Sequence, residues 1–517
     1  MLIPEILWHN AACRPHKVAV IAGQRRLTFA ATADHASRFA NALQGLGIQP
    51  GDRIAVLASN TAEHVEIVFG IGAADAVWVP LNFRLTPSEL AYIVDDSGAV
   101  AVVYTEDQTA SIESLRGRVP QVTHWIGVGE RDLAGDHVYS HLLAAASATR
   151  PNAKVAEDAL FAIMYTSGTT GLPKGVMLQH RAFFLGTLFS TIALKASADD
   201  IKLQAIPQFH AGGQIYQLAH LAAGATIVVL PRFDPELAFR LIEQEGVSVA
   251  GFVPAMLMAL VEDARARATN FSRLRRVLYG GSPIPEDRLA QAVDLMKASF
   301  LQTYGQTEAG VLATALDEED HARGLRDDPR LLRSCGREML GYRVRVADDQ
   351  GRSVVNGEVG EVLIRAESLM CGYWRRPDAT AETLVDGWLK TGDLAWQDDG
   401  GRFYIVDRKK DMIVSGGENV YPVEIENVIS AHPEVRDVAV IGVPDQRWGE
   451  AVKALVILRP GATVRTETII DACRGKLAGF KIPKSVEFVD SLPRNASGKL
   501  LKSQLREKYW REQDRKI

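Results

Sequence analysis

The sequence predicts an α/β protein with a large N-terminal domain of two layered α/β subdomains plus a β-rich subdomain, followed by a small α+β C-terminal domain. Three observations carry this expectation. Helix-period segments alternate with short apolar β-branched runs in two separate series, the rhythm of a largely parallel sheet layered with helices. After about residue 332 the pattern changes to hairpin-like strands broken by DDQG and NGEVG turns. From about residue 411 helix and strand mix again over a length suited to one small domain, which places a boundary at Lys410: residues 1–409, then 410–517.

In chain order, the first series opens with VAVIA at 18–22, a helical pattern at 29–46 and RIAVLA at 53–58. A helical pattern at 62–73 follows, then AVWVPL at 76–81 and AVAVVY at 99–104. The second series runs from about 201 to 304, with ATIVVL at 225–230, SVAGFVP at 248–254, RRVLYGG at 275–281 and a helix-compatible stretch at 285–297. Two similar halves are the simplest account, although no fixed-period repeat is present. VRVADDQGRSV and GEVGEVLIR form the hairpin-like region, and ENVISAHPEVRDVAVIGV and AVKALVILRPG belong to the last domain.

A chain of 517 residues predicts roughly three to four domain-sized pieces. Hydrophobic residues at 47% and charged residues at 23% are ordinary for a globular protein, so disorder is not expected. The net charge of -5 is spread along the chain without a basic block, which argues against a nucleic-acid partner. The densest charge clusters, 273–276 and 506–516, read as solvated helix faces or a frayed end. The four cysteines, Cys13, Cys335, Cys371 and Cys473, are far apart and form no metal-spaced pair, which fits a reducing cytoplasm. The N-terminus lacks the sustained apolar stretch of a secretory signal, and no run is long enough to span a bilayer. A soluble protein is expected, with peripheral membrane contact open if the substrate is a lipid.

The most informative segment is YTSGTTGLPKGV at 165–176. Its glycines allow close backbone approach, while its hydroxyls and Lys174 supply donors to phosphate oxygens, so it reads as a polyphosphate cradle built from Thr166, Ser167, Gly168, Thr169, Thr170 and Lys174. It is not a Walker loop, because Gly168 and Lys174 have the wrong spacing and no Ser or Thr follows the lysine. With this segment the chain resembles, over essentially its whole length, the adenylate-forming superfamily of acyl-CoA synthetases, luciferases and peptide-synthetase adenylation domains. Further motifs of that family recur in its order: YGQTE at 304–308 after RRVLYGGSPIP, LKTGDL at 389–394, YIVDRKK at 404–410, and LPRNASGKL at 492–500.

The resemblance implies roles for individual residues. Tyr304 stacks on adenine, Thr307 contacts the α-phosphate and Glu308 helps hold Mg²⁺, with Gly280, Gly281, Ser282, Gly305 and Gln306 completing the nucleotide site. Asp393 accepts from both ribose hydroxyls, as an ionised carboxylate does well, and Arg408 contacts the nucleotide. Asn419 occupies a position that contacts the nucleotide in some relatives. Val414 stands where certain relatives carry a lysine, so that role is not transferred. Gly416 and Gly417 match the loop that approaches the pantetheine of CoA, and Lys410 matches the hinge about which a mobile C-terminal domain turns. Lys499 matches the lysine that bridges substrate carboxylate and α-phosphate as charge builds in the transition state. His210 sits at the mouth of the acyl pocket, whose wall includes Val253, Pro254 and Gly280.

The implied catalytic set is Lys499, Glu308, Thr307 and Lys174, with ATP, Mg²⁺ and coenzyme A required. A carboxylic acid reacts with ATP to give an acyl-adenylate, and the CoA thiol then displaces AMP. A medium- or long-chain fatty acid is the expected substrate. The alternatives are an aryl acid, a carrier protein loaded in trans, or an inactive acyl- or nucleotide-binding protein on the same fold. The identity of the acid and the oligomeric state stay open.

Overall fold

A computed structural model of the chain describes residues 1–129, 136–152, 154–166, 172–282, 284–415, 418–445, 447–494 and 500–510. Helices begin where the sequence supplies caps. Thr28 accepts from Ala31 N at 3.2 Å ahead of helix Phe29–Gly45, and Thr61 accepts from His64 N at 3.2 Å ahead of helix Ala62–Ala73. Thr86 and Glu89 form a capping box with Pro87 at the start of helix Pro87–Ser97, which ends on Gly98 in the left-handed conformation.

Among the described residues, two large sheets dominate. The first has eight strands in the order Gly372–Tyr373, Lys174–Gln179, Leu160–Thr166, Val77–Pro80, Arg53–Leu57, Ala101–Thr105, His124–Val128 and His137–Val138. The second has nine, in the order Arg337–Glu338, Thr314–Leu316, Ser299–Tyr304, Arg276–Gly280, Val249–Phe252, Ile201–Gln204, Thr226–Val229, Val18–Ala22 and Arg25–Thr28. Their central pairs are parallel; both edges of the second sheet and one edge of the first are antiparallel, while the edge pair His124–Val128 with His137–Val138 is parallel. The mixed α/β architecture expected from the alternating pattern is therefore present.

One strand departs from the expectation. VAVIA, read as the opening of the first series, belongs to the second sheet, pairing in parallel with Thr226–Val229 through Val20↔Ile227 and Ile21↔Val228. Its run is apolar throughout and buried at the centre, so it carries no alternation to mark its partner. Ile21 packs into the core formed by Leu203, Val228, Phe252 and Tyr279 beneath the second sheet, and that burial decides the pairing.

The chain divides into two compact units. One comprises Met1–Thr166, Leu172–Val344 and Ile364–Leu389; the other comprises Arg345–Leu363 and Lys390–Ile517. A third sheet runs Tyr342–Ala347, Gly360–Ala366, Trp388–Gln397 and Leu384–Val385, with Phe403–Arg408 also pairing Trp388–Gln397. The sheet of the C-terminal region is built on the long hairpin Val435–Asp445 with Gly449–Leu458, whose residues alternate between two cores. Val438, Val440, Val452, Ala454 and Val456 face one side with Ile425, Ile429 and Ile469, while Ala439, Ile441, Leu455 and Ile457 face the other with Leu492, Leu505 and Tyr509. Helix Lys502–Trp510 covers that second face, and Arg506 within it is only 7% exposed, so the 506–516 charge cluster is not uniformly solvated as its composition suggests.

Candidate functional site

Three parallel strands end on the same edge of the second sheet, which puts their carboxyl-terminal residues side by side, the usual position for a ligand site in such sheets. Val253 and Pro254 follow Val249–Phe252, Gly280–Ser282 close Arg276–Gly280, and Tyr304–Glu308 follow Ser299–Tyr304. Gly280 is opposite Thr303 in register, and a Cβ at Gly280 would stand 2.5 Å from Thr303 O, so the close approach needs glycine. Gly281 has φ +87°, the left-handed conformation that glycine adopts without strain.

Beyond Tyr304 the chain turns sharply. Ala313 N donates to Tyr304 O at 2.9 Å and Val311 N to Gln306 O at 3.1 Å, with Thr307–Ala309 forming one 3-10 turn at the tip. A Cβ on Gly305 would collide with the Val311 carbonyl. Val311 itself has φ +93°, a strained conformation for a β-branched residue of the kind that clusters at functional loops. This turn presents Glu308, whose backbone oxygen accepts from Met370 N at 2.9 Å and whose Oε1 accepts from Tyr373 Oη at 3.1 Å. Thr166 Oγ1 lies 3.5 Å from the same Oε1. Thr166 pairs in register with Lys174 across the antiparallel strands that enter and leave the glycine-rich segment, and Lys174 Nζ lies 5.1 Å from the centre of the Tyr373 ring. Thr166, Lys174 and Glu308 are thus brought together, with Tyr373 between them.

The strands carrying Thr166 and Lys174 are braced from behind. Tyr165 Oη donates to Asp96 at 2.6 Å, Arg376 pairs with the same carboxylate at 3.0 Å, and Trp374 Nε1 donates to Asp96 O at 2.9 Å. Burial and the adjacent Asp96 carboxylate push the Tyr165 phenol far above its ordinary pKa, so it stays a donor.

His210 caps helix Ala211–Ala223: its Nδ1 accepts from Gly212 N at 3.1 Å. The approach to it is held by buried Gln208, which accepts from Thr61 N at 2.8 Å, donates through N to Asn60 Oδ1 at 2.7 Å and through Nε2 to Gln217 at 2.7 Å. The ring of His210 is exposed, yet enclosing protein and then Arg84 lower its pKa. With Nδ1 accepting, the neutral tautomer carries its proton on Nε2.

Six residues along that helix from His210, Tyr216 is fully buried. Its ring would be 3.0 Å from a Cβ on Gly251, and its hydroxyl is 2.7 Å from Thr303 Oγ1. The helix rise separates Tyr216 from His210 by about 9 Å along the helix axis.

In the second unit Asp393 faces Arg408 in register, and Arg408 Nε meets Asp393 Oδ1 at 3.0 Å. Thr391 Oγ1 donates to Val362 O at 2.8 Å and accepts from Asp393 N at 3.1 Å, which orients the carboxylate. Asn419 lies exposed on strand Glu418–Val420 opposite Val414, and Lys410 is exposed in the turn after Phe403–Arg408. Ser167, Gly168, Thr169 and Thr170, Gly416 and Gly417, and Lys499 lie outside the described residues.

The family model for AMP-binding enzymes matches residues 7–374, and that for the C-terminal domain of AMP-binding enzymes matches 424–499. The chain belongs to the AMP-binding enzyme family. It is 39% identical to a fatty acid–[acyl-carrier-protein] ligase, ScoC, of Streptomyces coeruleorubidus over 98% of this chain and 96% of that protein. It is also 39% identical to a feruloyl-CoA synthase of an Amycolatopsis species over 97% of both. Among solved structures, the anthranilate CoA ligase AuaEII in complex with anthranoyl-AMP superposes with a TM-score of 0.90 at 28% identity, covering 98% of this chain and 97% of that one. The amide bond synthetase McbA of Marinactinospora thermotolerans superposes at 0.88 with 30% identity, covering 97% and 99%.

Within this family member, sequence reading missed Tyr373, Val311 and Tyr216. Tyr373 lies 65 residues from Glu308 and belongs to no motif that marks it. Among the described residues no group of three His, Cys, Asp or Glu side chains is placed to hold a metal ion, and no helix is long and apolar enough to cross a membrane. Glu308, beside two hydroxyls, offers hard oxygen donors and fits Mg²⁺ of the kind that takes most ligands from water and polyphosphate.

Proposed function

We propose that this enzyme is an AMP-forming acid:CoA ligase whose acid has a compact, ring-sized body. The observation that carries the reaction class is the convergence of Thr166, Lys174 and Glu308 beside the strand-end row Gly280–Ser282 and Tyr304–Thr307, as a polyphosphate and its adenine require. Lys174 and the hydroxyl-rich segment hold the phosphates, Thr307 holds the α-phosphate, and Tyr304 offers its ring to adenine. Asp393 accepts the ribose hydroxyls, with Arg408 and Asn419 completing the nucleotide contacts. Mg²⁺, when bound with ATP at Glu308, neutralises charge at the phosphate that the acid attacks.

The carboxylate is held in line with the α-phosphate, forms the acyl–phosphate bond and expels pyrophosphate, with Lys499 countering the charge that builds. The CoA thiol, approaching past Gly416 and Gly417, then attacks the acyl carbon and releases AMP. Lys499 serves the first half and is withdrawn for the second by rotation of the chain at Lys410, the boundary of the C-terminal domain. His210, with its proton on Nε2, stands at the pocket mouth, and Val253, Pro254 and Gly280 form its wall.

The finer reading concerns the acid. An aliphatic chain is what the sequence favours, but Tyr216, buried against Gly251 and Thr303 about 9 Å along the helix from His210, supports an aryl or similarly short acid instead, by serving as the floor of the acid space. Relatives named for feruloyl and anthranilate substrates support the same reading, while ScoC is named for a fatty acid. The test is pyrophosphate release with ATP, Mg²⁺ and a panel of acids, followed by thioester formation on adding CoA. Release is expected with benzoate- or cinnamate-sized acids. Release with none of the panel overturns the ligase reading, and a preference for sixteen-carbon acids overturns the compact acid alone.

A further inference from the structure

The turn that follows strand Phe403–Arg408 is held on both sides of Lys410. On its N-terminal side, Lys409 N donates to Gly392 O at 2.9 Å, and Lys409 Nζ reaches Asp349 at 2.7 Å and Glu361 at 3.2 Å. On its C-terminal side, Arg506 Nη1 donates to Lys410 O at 3.2 Å while Nη2 pairs with Asp411 Oδ1 at 2.7 Å. Both partners of that second pair are largely buried, at 9% and 13% side-chain exposure, where an ion pair is screened little by solvent. One planar guanidinium therefore grips a carbonyl and a carboxylate at the two ends of one peptide unit, which a lysine's single point charge does not do.

We propose that Arg506 is a positioning residue that makes the Lys410–Asp411 peptide part of the C-terminal body and confines hinge rotation to the N–Cα and Cα–C bonds of Lys410. The inference rests on the reading of Lys410 as the hinge. The geometry of the chain supplies the reason. Rotation about the N–Cα and Cα–C bonds of Lys410 carries its carbonyl along with Asp411, so the grip of Arg506 survives the turn. The bonds that the turn must give up include two local ones, Asp411 N and Met412 N to Arg408 O at 2.9 and 3.1 Å, and one from further along the chain, Val423 N to Asp407 Oδ2 at 3.1 Å.

The helix that carries Arg506 is itself anchored. Leu505 and Tyr509 pack on the sheet face of Ala439, Ile441 and Leu455, Trp510 Nε1 donates to Gly442 O at 3.1 Å, and Lys502 pairs with Glu426 at 2.8 Å. Lys502 also faces buried Asp407, one residue before Arg408. The residue at which the chain turns is thus tied to a rigid element that lies three residues after Lys499 in the sequence.

The test compares Arg506→Met with wild type in the two half-reactions: ATP–pyrophosphate exchange, and thioester formation from preformed acyl-adenylate. Adenylation needs Lys499 held within hydrogen-bond reach of the reacting phosphate, whereas the second half needs only that it be gone. The expected result is a fall of about 10- to 100-fold in exchange with less than about 3-fold in thioester formation, the scale of a misplaced catalytic group. Asp411→Asn, which keeps the shape of the partner and removes its charge, shifts the ratio in the same direction by a smaller factor and decides the matter if Arg506→Met does not fold. An equal fall in both halves, or no change, overturns the proposal. If wild type performs neither half, the ligase reading fails separately; hydrogen exchange at the Asp411 and Met412 amides then decides the clamp, which is overturned if Arg506→Met leaves their protection unchanged.

Discussion

Tyr216 is the residue whose replacement discriminates most sharply between the two kinds of acid. Its ring fills the space over Gly251, and its hydroxyl is bonded to Thr303, itself packed against Gly280. Tyr216→Ala removes that floor. Truncating a buried aromatic costs about 3–5 kcal/mol, and the lost hydrogen bond adds about 1 kcal/mol, so the variant melts well below wild type. The vacated volume admits about four methylenes of a longer acid, each contributing about 0.8 kcal/mol on burial, or about 3 kcal/mol in all. At 1.4 kcal/mol per decade, the kcat/KM of a ten- or twelve-carbon acid rises about 100-fold relative to a benzoate-sized acid. The assay is pyrophosphate release across a series of chain lengths, run at a temperature where the variant remains folded. Tyr216→Leu, which opens less space at a smaller cost in stability, gives an intermediate shift. An unchanged chain-length profile in a folded variant refutes the floor.

Four further outcomes are expected. Lys499→Ala lowers ATP–pyrophosphate exchange about 100- to 1,000-fold while sparing thioester formation from preformed acyl-adenylate; equal loss of both halves contradicts the division of labour. Asp393→Ala raises the KM for ATP about 10- to 100-fold, as the loss of charge-assisted hydrogen bonds does, and a KM within twofold of wild type removes Asp393 from the ribose site. Lys202, fully buried in strand Ile201–Gln204 with its ammonium on Gln204 Oε1, is pushed down to about 7 by desolvation, with His220, Asp200 and Arg276 as the charged neighbours of this core. Because the unfolded lysine holds its proton up to about 10.4, the folded state takes up fewer protons in between and stability climbs as pH rises from about 7 to 10. Lys202→Met flattens that rise in chemical denaturation, and an identical slope in the variant argues against a depressed lysine. His35 behaves oppositely: its hydrogen bond to buried Glu66, at 2.8 Å, raises its pKa, so the stability it contributes is present below about pH 6.5 and lost as pH rises through the raised value. His35→Gln removes that decline, and a wild-type melting temperature flat across this range would count against it.

Much of the architecture was legible without coordinates, and the reason is locality. Threonine caps, glycine stops and apolar runs act within a turn or a strand, so helices 29–45 and 62–73 and the strands of the second sheet appear where their own residues place them. The glycine-rich segment at 165–176, YGQTE, TGD and the Asp393–Arg408 pair are likewise short motifs or lie on one hairpin. Local pattern does not encode partners far away along the chain. VAVIA is apolar on both faces and could join either sheet; only the burial of Ile21 against Leu203 and Val228 selects the second. Tyr373 beside Glu308, Tyr216 over Gly251 and Arg506 gripping the Lys410–Asp411 peptide are meetings of residues 35 to 96 positions apart. Sequence by itself determined which chemical groups this enzyme carries and which segments present them. Tertiary packing alone decided what closes over Gly251 and what restrains the turn at Lys410, because both come from side chains that burial, not sequence proximity, brings into contact.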